Sequence, residues 1–360
     1  MSTTRFDQLS TVLAARLTRR STMHAAGAGA GIAGAALLSR SGSAEMATPA
    51  SSPEIACDAQ DRDAIKALAT RVLTEGFGQG MLAVVDEAYA SESAIHHRPG
   101  GLGAAEGVDA IKDVMREIRG AYPDMEVTAE EVLSDGRTVV VRYTCNATFT
   151  NPLFGIEPTG ERVTYDGINT FLFSCGKVIE SWSELDSLTM LGLVSQDAPG
   201  PAATPQVEAS PVVDCPQTSE AENATIVARW NDVWNTHDLD TIATLAHPDL
   251  VKHFGALPDA HGAAAAQEGI GQFLDAMPDL AATIGEPIVE GDLVAVRFTV
   301  TGTQTGEFLG VAPTGKVISW SGAIISRVAC GLVIEDWSEV SSLSLWQQLG
   351  KVEVRATPVA

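Results

Sequence analysis

Basic residues are scarce in this 360-residue chain: 23 Lys and Arg stand against 46 Asp and Glu, a formal net charge of −23. Nucleic acid and anionic membranes are recognised by clustered Lys and Arg, so neither is an expected partner. No P-loop, dinucleotide fingerprint, HExxH or zinc-type Cys/His spacing occurs, and the sequence therefore offers no basis for a nucleotide or metal site. No apolar run is long enough for a stable membrane span. Against these absences, 45% of residues are hydrophobic and 19% charged, the balance of a folded protein, and the length suffices for two domains with separate cores.

Residues 1–47 differ from the rest. Arg16, Arg19 and Arg20 precede a weakly apolar, Gly-rich run from Ala25 to Leu38, and small residues follow at Ala44 and Ala47. This is the pattern of an export signal. The paired Arg19-Arg20 makes it similar to a twin-arginine signal, although Ser21-Thr22-Met23 departs from that motif. Export to the cell envelope or the medium is the expectation.

The dominant feature is an internal repeat. CGKVIESWSELDSL from Cys175 matches CGLVIEDWSEVSSL from Cys330, and FGIEPTGERVTYDG from Phe154 matches LGVAPTGKVISWSG from Leu309. Trp182 and Trp337, 155 positions apart, share this shift, as do Arg142 and Arg297, and Glu184 and Glu339. Two tandem domains follow, over 58–195 and 218–350, joined by a Pro/Ala-rich linker over 196–217 that reads as extended.

Each repeat opens with amphipathic helices: Ile65, Leu68, Val72 and Leu73 recur at helical spacing in the first, and Ile226, Val227, Trp230, Val233 and Trp234 in the second. Val/Thr/Ile-rich runs follow, punctuated by Asp135-Gly136, Glu290-Gly291 and the two Cys-Gly pairs, which are hairpin signals. Helices first and a curved antiparallel sheet afterwards give an α+β domain, a cone wrapped around a pocket. The Gly/Ala-rich stretches 99–107 and 255–269 read as loops at the mouth.

The cysteines duplicate with the repeat. Cys57 and Cys215 precede the first helix of each copy, and Cys175 and Cys330 open the last hairpin turn. In an exported protein this predicts disulfides Cys57–Cys175 and Cys215–Cys330, with Cys145 free and buried. A Cys57–Cys215 bridge between domains is the competing arrangement.

The series YPDM, DGRTVVVRYT, NPLFGIEPTGERVTYDG and GKVIESWSELDSLTML, with MPDL, GDLVAVRFT and WQQLG in the second copy, resembles the SnoaL-like polyketide cyclases and ester cyclases of the nuclear transport factor 2-like superfamily. The resemblance implies cofactor-free acid–base chemistry alpha to a carbonyl, such as an aldol-type ring closure, on a small apolar or aromatic carbonyl ligand. It also implies pairing of the two repeats through their sheets, an intramolecular pseudo-dimer. The alternative is an exported protein that binds such a ligand without turnover.

Asp186, at the end of the last strand, stands where the family's catalytic Asp is expected; it could equally cap the segment Ser187–Leu193. Its counterpart, Ser341, cannot act as an unassisted acid or base. His96 and His253 fall at equivalent places and are candidate pocket residues, with His97 and His261 ranked below them. Strand alternation puts Trp182, Glu184 and Asp186 on one face, and Trp337 and Glu339 on its counterpart. Were those faces inward, they would line the pockets. The competing reading pairs Arg142 with Glu184 across adjacent strands.

Overall fold

The computed structural model describes residues 61–90, 93–193, 215–255 and 257–352. The expected export signal, Cys57 and most of the expected linker lie outside the described residues. No helix among the described residues is long and apolar enough to cross a membrane.

In the first repeat, helix α1 (Arg62–Arg71) starts where Asp61 accepts hydrogen bonds from the Asp63 and Ala64 amides, and runs into a wider turn over Val72–Phe77. Ile65, Ala69, Val72 and Leu73 form its buried stripe. Helix α2 (Ala83–Ala88), strands β1 (Ile95–His97) and β2 (Ala104–Glu106), and helix α3 (Val108–Ala121) follow. The long strands come last: β3 (Glu126–Ser134), β4 (Thr138–Thr148), β5 (Arg162–Ser174) and β6 (Lys177–Leu185), then a single turn α4 (Ser187–Met190). The sheet runs β2-β1-β6-β5-β4-β3 and is antiparallel except where β1 joins β6 in parallel.

The second repeat follows the same plan. Helices α5 (Glu220–Asn231), α6 (Val233–Thr236) and α7 (Asp240–Leu245) lead into β7 (Ala246–Phe254), β8 (Leu257–His261) and α8 (Gly262–Ala276). The first of these opens on a Ser219/Glu222 capping box. Then come β9 (Ala281–Ile284), β10 (Ile288–Glu290), β11 (Leu293–Thr303), β12 (Val317–Ala329), β13 (Leu332–Val340) and α9 (Ser342–Gln348). The stretch 255–269, expected as a loop, is largely strand β8 and the first half of α8. Its alanines are strong helix formers, and Ala266 packs inward.

One face of each sheet holds that repeat's helices, and the other meets the second sheet. Leu133, Val140 and Ile168 pack with Ile288, Leu293, Ala295, Ala323, Ile325 and Trp337 in one buried cluster. Contacts across this seam are reciprocal. Arg142 lies 4.7 Å over the Trp337 ring, and its counterpart Arg297 lies 4.1 Å over Trp182. Ser187 and Ser342, equivalent in the two repeats, meet each other at 3.1 Å. The expected Arg142–Glu184 pair is not formed: Ile168 of β5 sits between them in the strand register, and each arginine stacks on the other repeat's tryptophan instead.

Cys215 and Cys330 are disulfide-bonded, with Cα atoms 5.4 Å apart, which rules out the interdomain Cys57–Cys215 alternative. Cys175 is also disulfide-bonded, its expected partner Cys57 lying outside the described residues, and Cys145 is free and buried.

Candidate functional site

A cavity opens between the helices and the sheet of the first repeat. Its walls are mostly apolar and aromatic, including Leu73, Phe77, Val114, Ile118, Phe154 and Met190. Tyr143 reaches the cavity by lying across Gly167, where any Cβ would collide with its ring, so glycine is required there. Against this background a few polar groups converge: His96, Arg98, Tyr143, Tyr165, Asn169 and Ser183.

His96 comes from β1 and is 1% exposed. Its Nδ1 pairs with Ser181 Oγ at 2.9 Å, and Tyr89 Oη contacts the same hydroxyl at 3.1 Å. Burial, reinforced by the nearby His97 and Arg98 charges, pushes the imidazole down to about 3, so it is neutral at physiological pH. Arg98 is 6% exposed, ion-paired to Glu117 at 2.7 Å and laid 5.2 Å over Phe154, which orients its guanidinium. Asn169 is 1% exposed and its Oδ1 has no hydrogen-bond partner among the described residues, an acceptor left for a ligand's donor. Burial raises the Tyr143 and Tyr165 phenols, which stay protonated.

The structure separates the residues expected to act together. Ser183 and Leu185 of β6 face the cavity, and the alternate residues Trp182 and Glu184 face the second repeat. Trp182 and Glu184 share a face of β6, and that face looks away from the cavity. Glu184 accepts hydrogen bonds from Ser321 and Ser341, both at 2.7 Å. Asp186 is not among the cavity-lining residues. It caps α4, its Oδ1 accepting from the Thr189 amide at 3.0 Å, and faces the seam, where its charge is felt by Glu339. Burial pushes Asp186 up to about 6 and also raises Glu184 and, well above the usual range, Glu339. Trp337 and Glu339 sit at the same seam.

The register also corrects the histidine equivalence. His97 pairs with Trp182 in the strand ladder and stacks on it, 5.2 Å between centroids; His253 pairs with Trp337 and stacks on it at 5.8 Å. His253 is thus the counterpart of His97, and the counterpart of His96 is Lys252. Burial opposes charge on His253, but Asp259 at 2.9 Å from Nδ1 and Glu335 at 3.5 Å from Nε2 outweigh it and raise the ring to about 9. His261 is an exposed residue at the end of β8.

The second repeat has exchanged the pocket's polar groups for packing. Where the first holds His96 and Ser181, the second holds a buried Lys252–Asp336 ion pair, completed by Ser338 at 3.1 Å and Ser326 at 2.6 Å. The positions of Ile118, Leu153, Tyr165 and Asn169 carry Phe273, Phe308, Trp320 and Ile324. Phe273 makes an edge contact with Phe308 at 5.0 Å and with Trp234 at 5.7 Å. Among the described residues no group of three or more His, Cys, Asp or Glu is placed to hold a metal ion.

A family model described as SnoaL-like polyketide cyclase matches residues 67–192 and 224–349. Similar solved structures include AclR from Streptomyces galilaeus, provisionally described as a hydroxylase: 33% identity over 38% of this chain and 89% of that one, TM-score 0.35. TsrD from Streptomyces laurentii is 25% identical over 38% of this chain and 100% of its own, TM-score 0.35. IdmH from Streptomyces antibioticus is 24% identical over 36% and 96%, TM-score 0.32. No curated protein matches the chain significantly.

Proposed function

The chain belongs to the SnoaL-like polyketide cyclase family, and on that premise we propose that its first repeat takes a small apolar or aromatic carbonyl compound into the pocket for cofactor-free acid–base chemistry alpha to the carbonyl. The observation that carries this reading is a neutral imidazole and a buried guanidinium lining one apolar cavity. Ser181 engages His96 Nδ1, so Nε2 is the ring nitrogen left to exchange a proton with a ligand. Removing a proton next to a carbonyl leaves an enolate, whose charge would offset the cost of a buried imidazolium and would be stabilised by Arg98. The second repeat serves as a folded partner in an intramolecular pseudo-dimer. The N-terminal segment, read as an export signal, would deliver the protein outside the cytoplasm.

Binding without turnover is the second reading. It is favoured by the position of Asp186 and Glu184, the two acids expected to act on substrate, at the seam rather than in the cavity wall.

Asp186→Asn separates a catalytic aspartate from a capping one. Asparagine caps as well as aspartate. The native Asp186 keeps its proton up to about pH 6 and the unfolded one loses it near 3.8, so the native state binds more protons in that window. Stability contributed by this group is therefore present below pH 3.8 and falls as pH rises towards 6. The asparagine variant should remove that slope and gain up to roughly 3 kcal/mol at pH 7 in denaturant titrations. Turnover of an aromatic β-keto ester, where the wild type shows it, should stay within about threefold in Asp186→Asn and drop about a hundredfold in His96→Gln. The opposite ranking would return catalysis to Asp186, and a wild type that retains the ester unchanged would favour the binding reading.

A further inference from the structure

Part of the cavity wall is carried by a glycine-rich turn between β1 and β2. Arg98 and Pro99 line the cavity, and the chain then passes through Gly100, Gly101 and Gly103, with φ of 67°, 74° and 82°. Within the turn the Arg98 amide donates to the Gly103 carbonyl at 3.0 Å and the Leu102 amide reaches the Pro99 carbonyl at 3.4 Å, and the short β1–β2 ladder closes its base where His97 pairs with Ala104. Three glycines in the left-handed region leave such a segment many conformations, and packing must select one.

That packing comes from the other repeat. Leu343, on α9, is completely buried and presses on the turn so closely that a Cβ at Gly100 would lie 2.7 Å from Leu343 Cβ and 3.2 Å from its Cδ2. The next residue repeats the pattern, with a Gly101 Cβ falling 3.2 Å from Ser344 Oγ. The same helix holds a second piece of the cavity wall. The Leu343 amide donates to Ser187 Oγ at 3.3 Å, and Ser342 meets Ser187 at 3.1 Å. Ser187 begins α4, whose last residue, Met190, lines the cavity and has its carbonyl fixed by the Tyr122 hydroxyl at 2.5 Å.

We propose that α9 of the second repeat is a positioning element for the first repeat's site, with Leu343 holding the Pro99–Gly101 turn and so setting where Arg98 meets a ligand. This rests on reading the first-repeat cavity as the ligand site. On this view the second repeat, its own cavity positions occupied by aromatics and an ion pair, is retained because the first site is incomplete without it. Leu343 touches no ligand and acts through Arg98.

The test uses the full chain and 1-anilinonaphthalene-8-sulfonate, an aromatic probe whose single anionic group suits a cavity with one guanidinium. Its dissociation constant is measured by fluorescence for wild type, Leu343→Ala, Arg98→Met and the double variant. Leu343→Ala should weaken the probe about tenfold when Arg98 is present and less than twofold when it is not, because a loosened turn matters only through the side chain it carries. Leu343→Met, which refills the space, should restore wild-type affinity. If Leu343→Ala fails to fold, Leu343→Val carries the same contrast with a smaller step. Equal weakening in both backgrounds would make Leu343 merely structural and overturn the proposal, as would no weakening where Arg98→Met alone weakens the probe. Wild-type binding indifferent to Arg98→Met would instead sink the reading of the cavity on which the proposal rests.

Discussion

Asp336→Asn should destabilise the protein by roughly 3–5 kcal/mol, the cost of breaking a buried ion pair from one side. Asp336 is completely buried and Lys252 is 2% exposed. The ammonium's surroundings are the carboxylate, the Ser338 hydroxyl and the face of Phe254 at 4.8 Å. Asparagine keeps the shape and the Ser326 contact but leaves Lys252 charged in an apolar enclosure, where neither the hydroxyl nor the ring can replace a full negative charge. The remedy is visible in the first repeat. Combining Lys252→His with Asp336→Ser reproduces the neutral His96–Ser181 pair and should recover most of the loss, although neither change does so alone. Urea titrations of wild type, Asp336→Asn, the two single changes and the double variant would check this; an Asp336→Asn chain as stable as wild type would show that the pair contributes little.

A loss of comparable size is expected on removing the Cys215–Cys330 bridge. It joins residues 115 apart in sequence, and in the chain-entropy account a loop of that length contributes about 5 kcal/mol by restricting the unfolded chain. Cys330→Ser is a better probe than a reductant, because Cys175 is also disulfide-bonded and reduction would open both repeats. The variant should unfold at much lower denaturant concentration with an altered m-value, since its unfolded state is more extended. An unchanged midpoint would mean that the bridge merely decorates a fold secured elsewhere.

Both effects arise from features that differ in how far the sequence reveals them. The bridge was legible because cysteines duplicated with the repeat. So were the two α+β domains, since a shift that aligns Trp182 with Trp337 also aligns the hairpins around them. The inward face was not. Alternation shows that Trp182 and Glu184 share a side of β6, but both sides of this sheet are covered, one by helices and cavity and the other by the second sheet. Burial then cannot distinguish pocket from seam. The histidine equivalence failed for a simpler reason: the chain between the opening helix and β4 differs in length between copies, and matching like with like aligned His96 to His253 across a one-residue slip. Only the strand ladder, which sets both His97 and His253 beside a tryptophan, reveals it.

Arg98 and Asn169 were missed altogether. Arg98 follows IHH directly and precedes Pro-Gly-Gly, so a cation at the rim of a pliable turn was present to be noticed. Asn169 lies in an apolar stretch of β5 whose counterpart, Ile324, is hydrophobic, and a polar residue replacing an aliphatic one at a repeated position was its one signal. Lys252 carried the same kind of signal: a charge inside a strand, answered by Asp336 where the first copy has Ser181.

Exchanging the cavity side chains tests the division of labour between the repeats most directly. A chain carrying Ile118→Phe, Tyr165→Trp and Asn169→Ile has the second repeat's residues in the first repeat's cavity. Titrated with 1-anilinonaphthalene-8-sulfonate and followed by native mass spectrometry, wild type should hold one probe per chain and the exchanged chain none. Two probes per wild-type chain, or one still bound after the exchange, would contradict a single site in the first repeat.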